Sequence, residues 1–179
     1  NVRFHLYQAL PKGEKLDFII QKAVECGAYD ITLFESERCI VKVKNEAEQR
    51  KNDRRNKIAL EAAKQCGRGI IPQVHNTVTF KAMLDLASSS DLVLFCYEGD
   101  NTEPLGKVLK KARTEKEIND ISIIIGSEGG FSPAEADLAQ SKGYDSSKWE
   151  EITKVIPLMR EDSILLEESV KLGKFQGHE

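Results

Sequence analysis

The residues most able to do chemistry stand between an apolar run and a helix start, in IIIGSEGGFSPAEA at 123 to 136. Gly126, Gly129 and Gly130 let a backbone turn tightly and let a ligand approach amide groups without a Cβ in the way. Glu128 puts an acid among them, and no lysine follows. A phosphate loop of the form GxxxxGK[ST] would supply a lysine and bare amides to an anion, and GxGxxG has a different spacing, so both nucleotide fingerprints fail here. An acid beside bare backbone suits a ligand bearing hydroxyls, an amine or a positive centre. In an open α/β sheet such a ligand binds at the carboxyl ends of the strands. Tyr97 and Glu98, with Gly99 and Asp100, end the preceding apolar run and bring further acids to the same edge. The spacing is equally that of a plain strand-to-helix turn with Glu128 in solvent.

Other chemistry is poorly supported. His5, His75 and His178 form no spaced pair with a nucleophile and an acid, which leaves a hydrolase without its base. Cys26, Cys39, Cys66 and Cys96 have no CxxC spacing, so neither a zinc site nor a disulfide framework is expected, and the thiols read as reduced and structural. RKNDRRNK at 50 to 57 sets Arg50, Lys51, Arg54, Arg55 and Lys57 around one acid on a predicted helix. That is either a phosphate-contacting stripe or a solvated helix face.

The elements that must position these residues alternate between strand and helix, the pattern of a parallel sheet covered by helices. Strands are expected at 2–9, 30–34, 91–97 and 121–125, with a hairpin-like piece near 39–43. Helices are expected at 14–26, 46–66, 80–87 (N-cap Thr79), 104–113 and 133–142, with Gly27, Gly67 and Gly143 closing three of them. Ser132, Pro133 and Glu135 form a capping-box signature that starts the last of these. From Tyr144 onward the pattern blurs. At 179 residues, 40% hydrophobic and 31% charged, the chain is sized for one well-cored domain. Its net charge of −3 gives no global pull towards nucleic acid, so an RNA contact needs a local basic surface. No apolar run approaches the roughly 20 residues of a membrane helix, and the start lacks a signal-peptide core, so the cytoplasm is the expected location.

Five blocks carry a resemblance: LPKGEKLDFIIQKAVECG (10–27), ESERCIVK (35–42), LEAAKQCGR (60–68), LVLFCYE (92–98) and IIIGSEGGFSPAE (123–135). In this order they resemble the small-subunit ribosomal RNA uridine-N3 methyltransferases, the RsmE-type family of the SPOUT class. The resemblance implies a trefoil-knotted α/β fold, S-adenosylmethionine at the carboxyl edge of the sheet, methyl transfer to N3 of a uridine in ribosomal RNA, and a homodimer with no metal. Mapped onto this chain, it implies a cofactor pocket of Tyr97, Glu98, Gly126, Ser127, Glu128, Gly129 and Gly130. The chemistry needs N3 of the uridine to lose its proton, and a cation beside the uracil carbonyls would favour the ionised ring. Arg68 and Arg38 are the candidates for that role, with Lys12, Lys15, Arg50, Arg54 and Arg55 for RNA.

The chain departs from the family pattern at both ends. Nearly all of the family's N-terminal β-rich, PUA-like RNA-binding domain lies outside these 179 residues, residues 1–9 including the end of the connection from it. The motif Ile-Leu-Arg-x-Glu-Thr-Ala that closes the family's knot has its nearest equivalent in Ile164-Leu165-Leu166-Glu167-Glu168-Ser169-Val170, so 144–179 reads as an atypical tail. A non-catalytic RNA-binding or assembly protein that kept the scaffold is the alternative.

Overall fold

The computed structural model describes residues 2–40, 45–97 and 105–147. Strands and helices alternate: β1 Arg3–Ala9, α1 Lys15–Glu25, β2 Asp30–Glu35, α2 Asn45–Gln65, β3 Gln73–Thr79, α3 Phe80–Ala87, β4 Leu92–Cys96, α4 Leu105–Glu115, β5 Asp120–Ile125, α5 Pro133–Ser141 and β6 Asp145–Ser147. The six strands form one sheet in the order β3-β2-β1-β5-β4-β6, and every pairing is parallel. Parallel sheets are covered on both faces, which is why the central strands read as near-continuous apolar runs. LVLFC of β4 is buried at every position.

The chain lays β1, β2 and β3 outward in one direction. It then crosses back to place β4 and β5 on the other side of β1. The order reverses between β1 and β5, and a reversal of this kind opens a crevice beyond the carboxyl ends of the two strands. Gln8 bridges it: its side-chain amide donates to the Ala9 carbonyl at 2.9 Å and the Gly126 carbonyl at 3.1 Å.

Two strands are additions to the sequence reading. QVHNTVT of β3 lies at the sheet edge with alternating half-exposed positions, so it lacks the apolar run that marks its neighbours. Its outer backbone is paired by helix α2. Asn56 exchanges two hydrogen bonds with Val74, at 2.8 and 2.9 Å, and Glu48 accepts from the Thr77 hydroxyl at 2.7 Å. Side chains thus supply what a further strand would, and blunt an edge that could otherwise pair with another chain. The short β6 beside β4 is the other addition. The hairpin-like piece expected near 39–43 is not formed in its described part, where residues 36–40 make a turn closed by Cys39 N–H on the Ser36 carbonyl at 3.1 Å.

Candidate functional site

Three loops meet at the carboxyl edge. The first follows β1 and enters α1 through Lys12 and Gly13. The second follows β2 through Ser36 to Ile40. The third is the glycine loop between β5 and α5. Phe131, at the end of the glycine loop, anchors it from below, with its ring centroid 4.3 Å from Phe95, 5.9 Å from Phe80 and 6.3 Å from Phe34. Above that aromatic floor the backbone makes a tight turn, Gly130 N–H to the Ser127 carbonyl at 2.9 Å, with Gly130 at φ +63° where other residues are strained. Gly126 is required for a different reason. A Cβ there would stand 3.2 Å from the Gly130 Cα and 3.2 Å from the Phe131 ring.

The capping box expected at Ser132 is present in full and also does a second job. Ser132 Oγ accepts from Glu135 N–H at 3.2 Å, while Glu135 Oε2 accepts from Ser132 N–H at 3.0 Å. The other carboxylate oxygen of Glu135 accepts from Glu37 N–H at 2.8 Å. One acid therefore starts α5 and ties the loop after β2 to the glycine loop. Cys39 ties the same loop to the first one, donating from Sγ to the Leu10 carbonyl at 3.3 Å.

Between the loops lies a cavity of about 220 Å³, lined by Leu10, Lys12, Lys15, Arg38, Ile40 and the Ser127 to Gly129 turn. Glu128 closes one side of it. Its carboxylate accepts from Lys12 N–H at 3.1 Å and pairs with Lys15 Nζ at 2.9 Å. The Lys15 hydrogen bond holds that carboxyl below its ordinary range, so Glu128 is anionic at neutral pH. On the other side the Arg38 guanidinium donates to the Gly129 carbonyl at 2.9 Å. The turn is thus clamped by one charged group on each flank. Ser127 Oγ is buried and has no hydrogen-bond partner among the described residues. A buried hydroxyl left in this way at a pocket wall is an unspent donor and acceptor.

The structure brings Arg38, Lys12, Lys15, Ser127, Glu128 and Gly129 together at this pocket, with Gly126 and Gly130 shaping it from behind. Tyr97 follows β4 at the same edge, its ring 6.2 Å from Phe95. Glu98 lies outside the described residues, as does the segment from Ile164 to Val170.

Other expected site residues are placed elsewhere. Arg68 sits at the opposite, amino edge of the sheet, where its guanidinium donates to the Val24, Gly27 and Ala28 carbonyls at 3.0, 3.3 and 2.7 Å. There it satisfies the Val24 carbonyl in the last turn of α1 and the Gly27 and Ala28 carbonyls just past its end, a structural use of a cation at a helix C-terminus. Arg55 points inward, is only 6% exposed and pairs with Glu48 at 2.7 Å, so it cannot reach a phosphate. Arg54 is exposed but paired with Asp17 of α1, and Arg50 is exposed on the same helix. Two wall residues, Leu10 and Ile40, lie inside blocks that carry the resemblance, but no polar or charged group marks either as a site residue. Each belongs to an apolar-looking stretch, and only the fold shows that Ile40 is 75% exposed.

Among the described residues no group of three or more His, Cys, Asp or Glu is placed to hold a metal. Nor is any helix among them long and apolar enough to cross a membrane.

Comparison with known proteins converges on this architecture. The RNA methyltransferase domain family matches residues 1–150. The ribosomal RNA small subunit methyltransferase E of Bacillus subtilis is 30% identical over 139 residues, covering 76% of this chain and 54% of that protein. Its counterpart in Buchnera aphidicola is 35% identical over 132 residues, covering 73% of this chain and 49% of the relative. This chain therefore spans about half the length of the relatives it matches. The crystal structure of the Neisseria gonorrhoeae ribosomal RNA small subunit methyltransferase E bound to S-adenosyl methionine superposes with a TM-score of 0.70 at 26% identity, covering 82% of this chain and 57% of that one. Fold, loop constellation and sequence agree, and the chain belongs to the RNA methyltransferase domain family, with the ribosomal RNA small subunit methyltransferases E as its relatives.

Proposed function

We propose that this chain is the catalytic domain of an S-adenosylmethionine-dependent enzyme that methylates N3 of a uridine in small-subunit ribosomal RNA, acting in the cytoplasm as a homodimer. The observation that carries the reading is the juxtaposition, at the β1/β5 reversal, of a glycine turn with an unspent buried hydroxyl and a set of cations.

The residues present suit the cofactor. Ser127 offers an unpaired hydroxyl, Gly126, Gly129 and Gly130 leave the backbone bare, and the turn is held rigid by Glu128 and Arg38. In this reading Gly126, Ser127, Gly129 and Gly130 hold the cofactor, together with Tyr97 and Glu98. Glu128 is a positioning residue, since its carboxylate is engaged by Lys12 and Lys15. When bound, S-adenosylmethionine supplies an electrophilic methyl group. The protein's part is to hold the uracil ring and favour loss of its N3 proton, which nearby positive charge promotes. Arg38, fixed on the loop after β2, provides such charge with N–H donors to spare after its bond to Gly129. Lys12, Lys15 and the exposed Arg50 and Arg54 provide the positive surface for phosphates.

The test is incubation of the chain with methyl-labelled S-adenosylmethionine and small-subunit ribosomal RNA or subunits, followed by nucleoside digestion and mass spectrometry. The reading expects label in 3-methyluridine. Cofactor binding without label in any nucleoside would favour the non-catalytic RNA-binding alternative, and label in another base would remove the N3 assignment.

A further inference from the structure

Gln8, the last residue but one of β1, stands at the β1/β5 reversal and is only 4% exposed. A buried primary amide is costly unless its hydrogens are bonded. Its strand partners are Leu33 of β2 and Ile125, the last residue of β5. On the β5 side the ladder therefore stops at Gln8, and no backbone N–H among the described residues reaches the Gly126 carbonyl. The side chain supplies the missing rung. One amide hydrogen goes to the Gly126 carbonyl at 3.1 Å and the other to the Ala9 carbonyl at 2.9 Å.

Only the NH₂ end of this amide can face the two acceptors, because the opposite orientation would set Oε1 against two carbonyl oxygens. Both hydrogens are thereby spent, one on each lip of the crevice. A lysine would bring an unpaired charge into a buried place, and a methionine would fill the same length with no donor. A peptide is planar, so holding the Gly126 carbonyl fixes the plane of the Gly126–Ser127 peptide and the direction in which Ser127 leaves it. Ser127 Oγ, buried and without a partner among the described residues, projects from that plane. The other clamps on the turn act beyond Ser127: Lys12 and Lys15 hold Glu128, and Arg38 holds Gly129.

Resting on the cofactor reading above, we infer that Gln8 is a positioning residue for the cofactor, which touches no reacting atom but sets the Gly126–Ser127 peptide and through it aims the Ser127 hydroxyl. Ligands of open α/β sheets bind in the crevice at a reversal of strand order, and here both lips of that crevice are tied by one side chain. Apolar packing at this position would fill the space without giving direction, whereas hydrogen bonds weaken steeply as they bend. The glycine turn therefore starts at an angle chosen by a residue that precedes it by 118 positions.

The experiment compares the ¹³C,¹⁵N-labelled full chain as wild type, Gln8→Met, Gln8→Glu and, as a destabilised control, Arg55→Ala. Each is titrated with S-adenosylmethionine well below its melting midpoint. In Gln8→Glu, burial and two facing carbonyls raise the new carboxyl above the ordinary glutamic value of about 4.3, so titrations at about pH 5.5 and about pH 8.5 compare a protonated donor with a carboxylate. Lys12, Lys15 and Glu128, the titratable groups of the same edge, are common to all four proteins. Gln8→Met should move the Gly126 carbonyl and Ser127 amide resonances and weaken S-adenosylmethionine about tenfold. Gln8→Glu should bind within about threefold of wild type at the lower pH and lose about tenfold at the higher, beyond any change shared by wild type and Arg55→Ala. Affinity unchanged in folded Gln8→Met, or a pH response of Gln8→Glu no larger than that of wild type, would assign Gln8 to the fold alone and overturn the inference. Should Gln8→Met not fold, the two pH values of Gln8→Glu decide. A wild type that binds no S-adenosylmethionine would instead strike the cofactor reading, and the Gly126 and Ser127 resonances, read without ligand, still decide whether Gln8 sets that peptide.

Discussion

Replacing Ser127 by alanine should move folding and ligand binding in opposite directions. The Ser127 hydroxyl is buried without a hydrogen-bond partner among the described residues. A buried polar group in that state costs about 1–3 kcal/mol relative to its absence. Alanine removes the oxygen and leaves the Ser127 carbonyl free to keep its bond from Gly130 N–H, at 2.9 Å, so the turn itself is untouched. The unliganded protein should therefore gain about 1 kcal/mol, which for a domain of this size raises the melting midpoint by roughly 2–4 °C. If the hydroxyl is kept for the cofactor, the variant loses one hydrogen bond to it, worth about 0.5–1.5 kcal/mol or roughly a 2- to 12-fold weaker affinity. Differential scanning fluorimetry of the free protein and isothermal titration with S-adenosylmethionine read the two effects separately. A lower melting midpoint combined with unchanged affinity would refute the reasoning, because the hydroxyl would then be serving the fold.

Three further outcomes are expected. Gly129→Val puts a Cβ 3.2 Å from the Arg38 Cβ, so Arg38 and the turn must separate. S-adenosylmethionine affinity should fall at least about tenfold while the melting midpoint moves by only a few degrees, since the site is at the surface. Arg55→Ala leaves Glu48 buried without its cation, held only by Thr77, a loss of about 3–5 kcal/mol that lowers the melting midpoint by on the order of 10 °C. RNA affinity measured well below that midpoint should be unchanged, because Arg55 is not on the surface. His5 lies between Asp30, at 3.0 Å, and Asp120, at 2.9 Å, with Arg3 on the far oxygen of Asp120 and His75 3.7 Å from Asp30. The Asp30 hydrogen bond raises the His5 pKa above its ordinary value of 6.5, against the opposing effect of burial. The imidazolium is thus favoured in the folded state. Its contribution is fully present below pH 6.5 and is lost as pH rises through the folded value. Urea midpoints of wild type should therefore fall between pH 5.5 and 8.5 by more than those of His5→Asn, and parallel profiles would dismiss the ion cluster as a contributor.

The features legible in the sequence share one property, that neighbouring residues settle them. The helix start at Ser132-Pro133-Ala134-Glu135 is decided by bonds reaching three residues, and it forms as expected. Gly27, Gly67 and Gly143 each adopt positive φ just past a helix end, again a local requirement. Buried strands β1, β2, β4 and β5 were legible because both of their faces are covered, which leaves apolar runs only briefly interrupted by polar residues, and in β4 not interrupted at all. β3 was not, because it lies at an edge and half of its side chains face solvent or helix α2.

Charged residues divide along the same line. RKNDRRNK says only that α2 is basic. Which face turns inward depends on Glu48, seven residues before Arg55, and on Thr77 of a strand not recognised as one. Arg68 stood in a family block, yet its partners Val24, Gly27 and Ala28 are some forty residues earlier in the chain, and they place it at the far edge of the sheet. Glu128 and Lys15 are 113 positions apart and meet only because β1 and β5 are adjacent strands. Sequence alone determined the α/β class, the glycine turn and the helix boundaries, since these are set by periodicity and by φ preferences that act within a few residues. Tertiary structure alone decided which cations converge on the pocket and which are consumed in holding the fold together. Those choices turn on strand order and burial, quantities to which residues far apart in the chain contribute jointly.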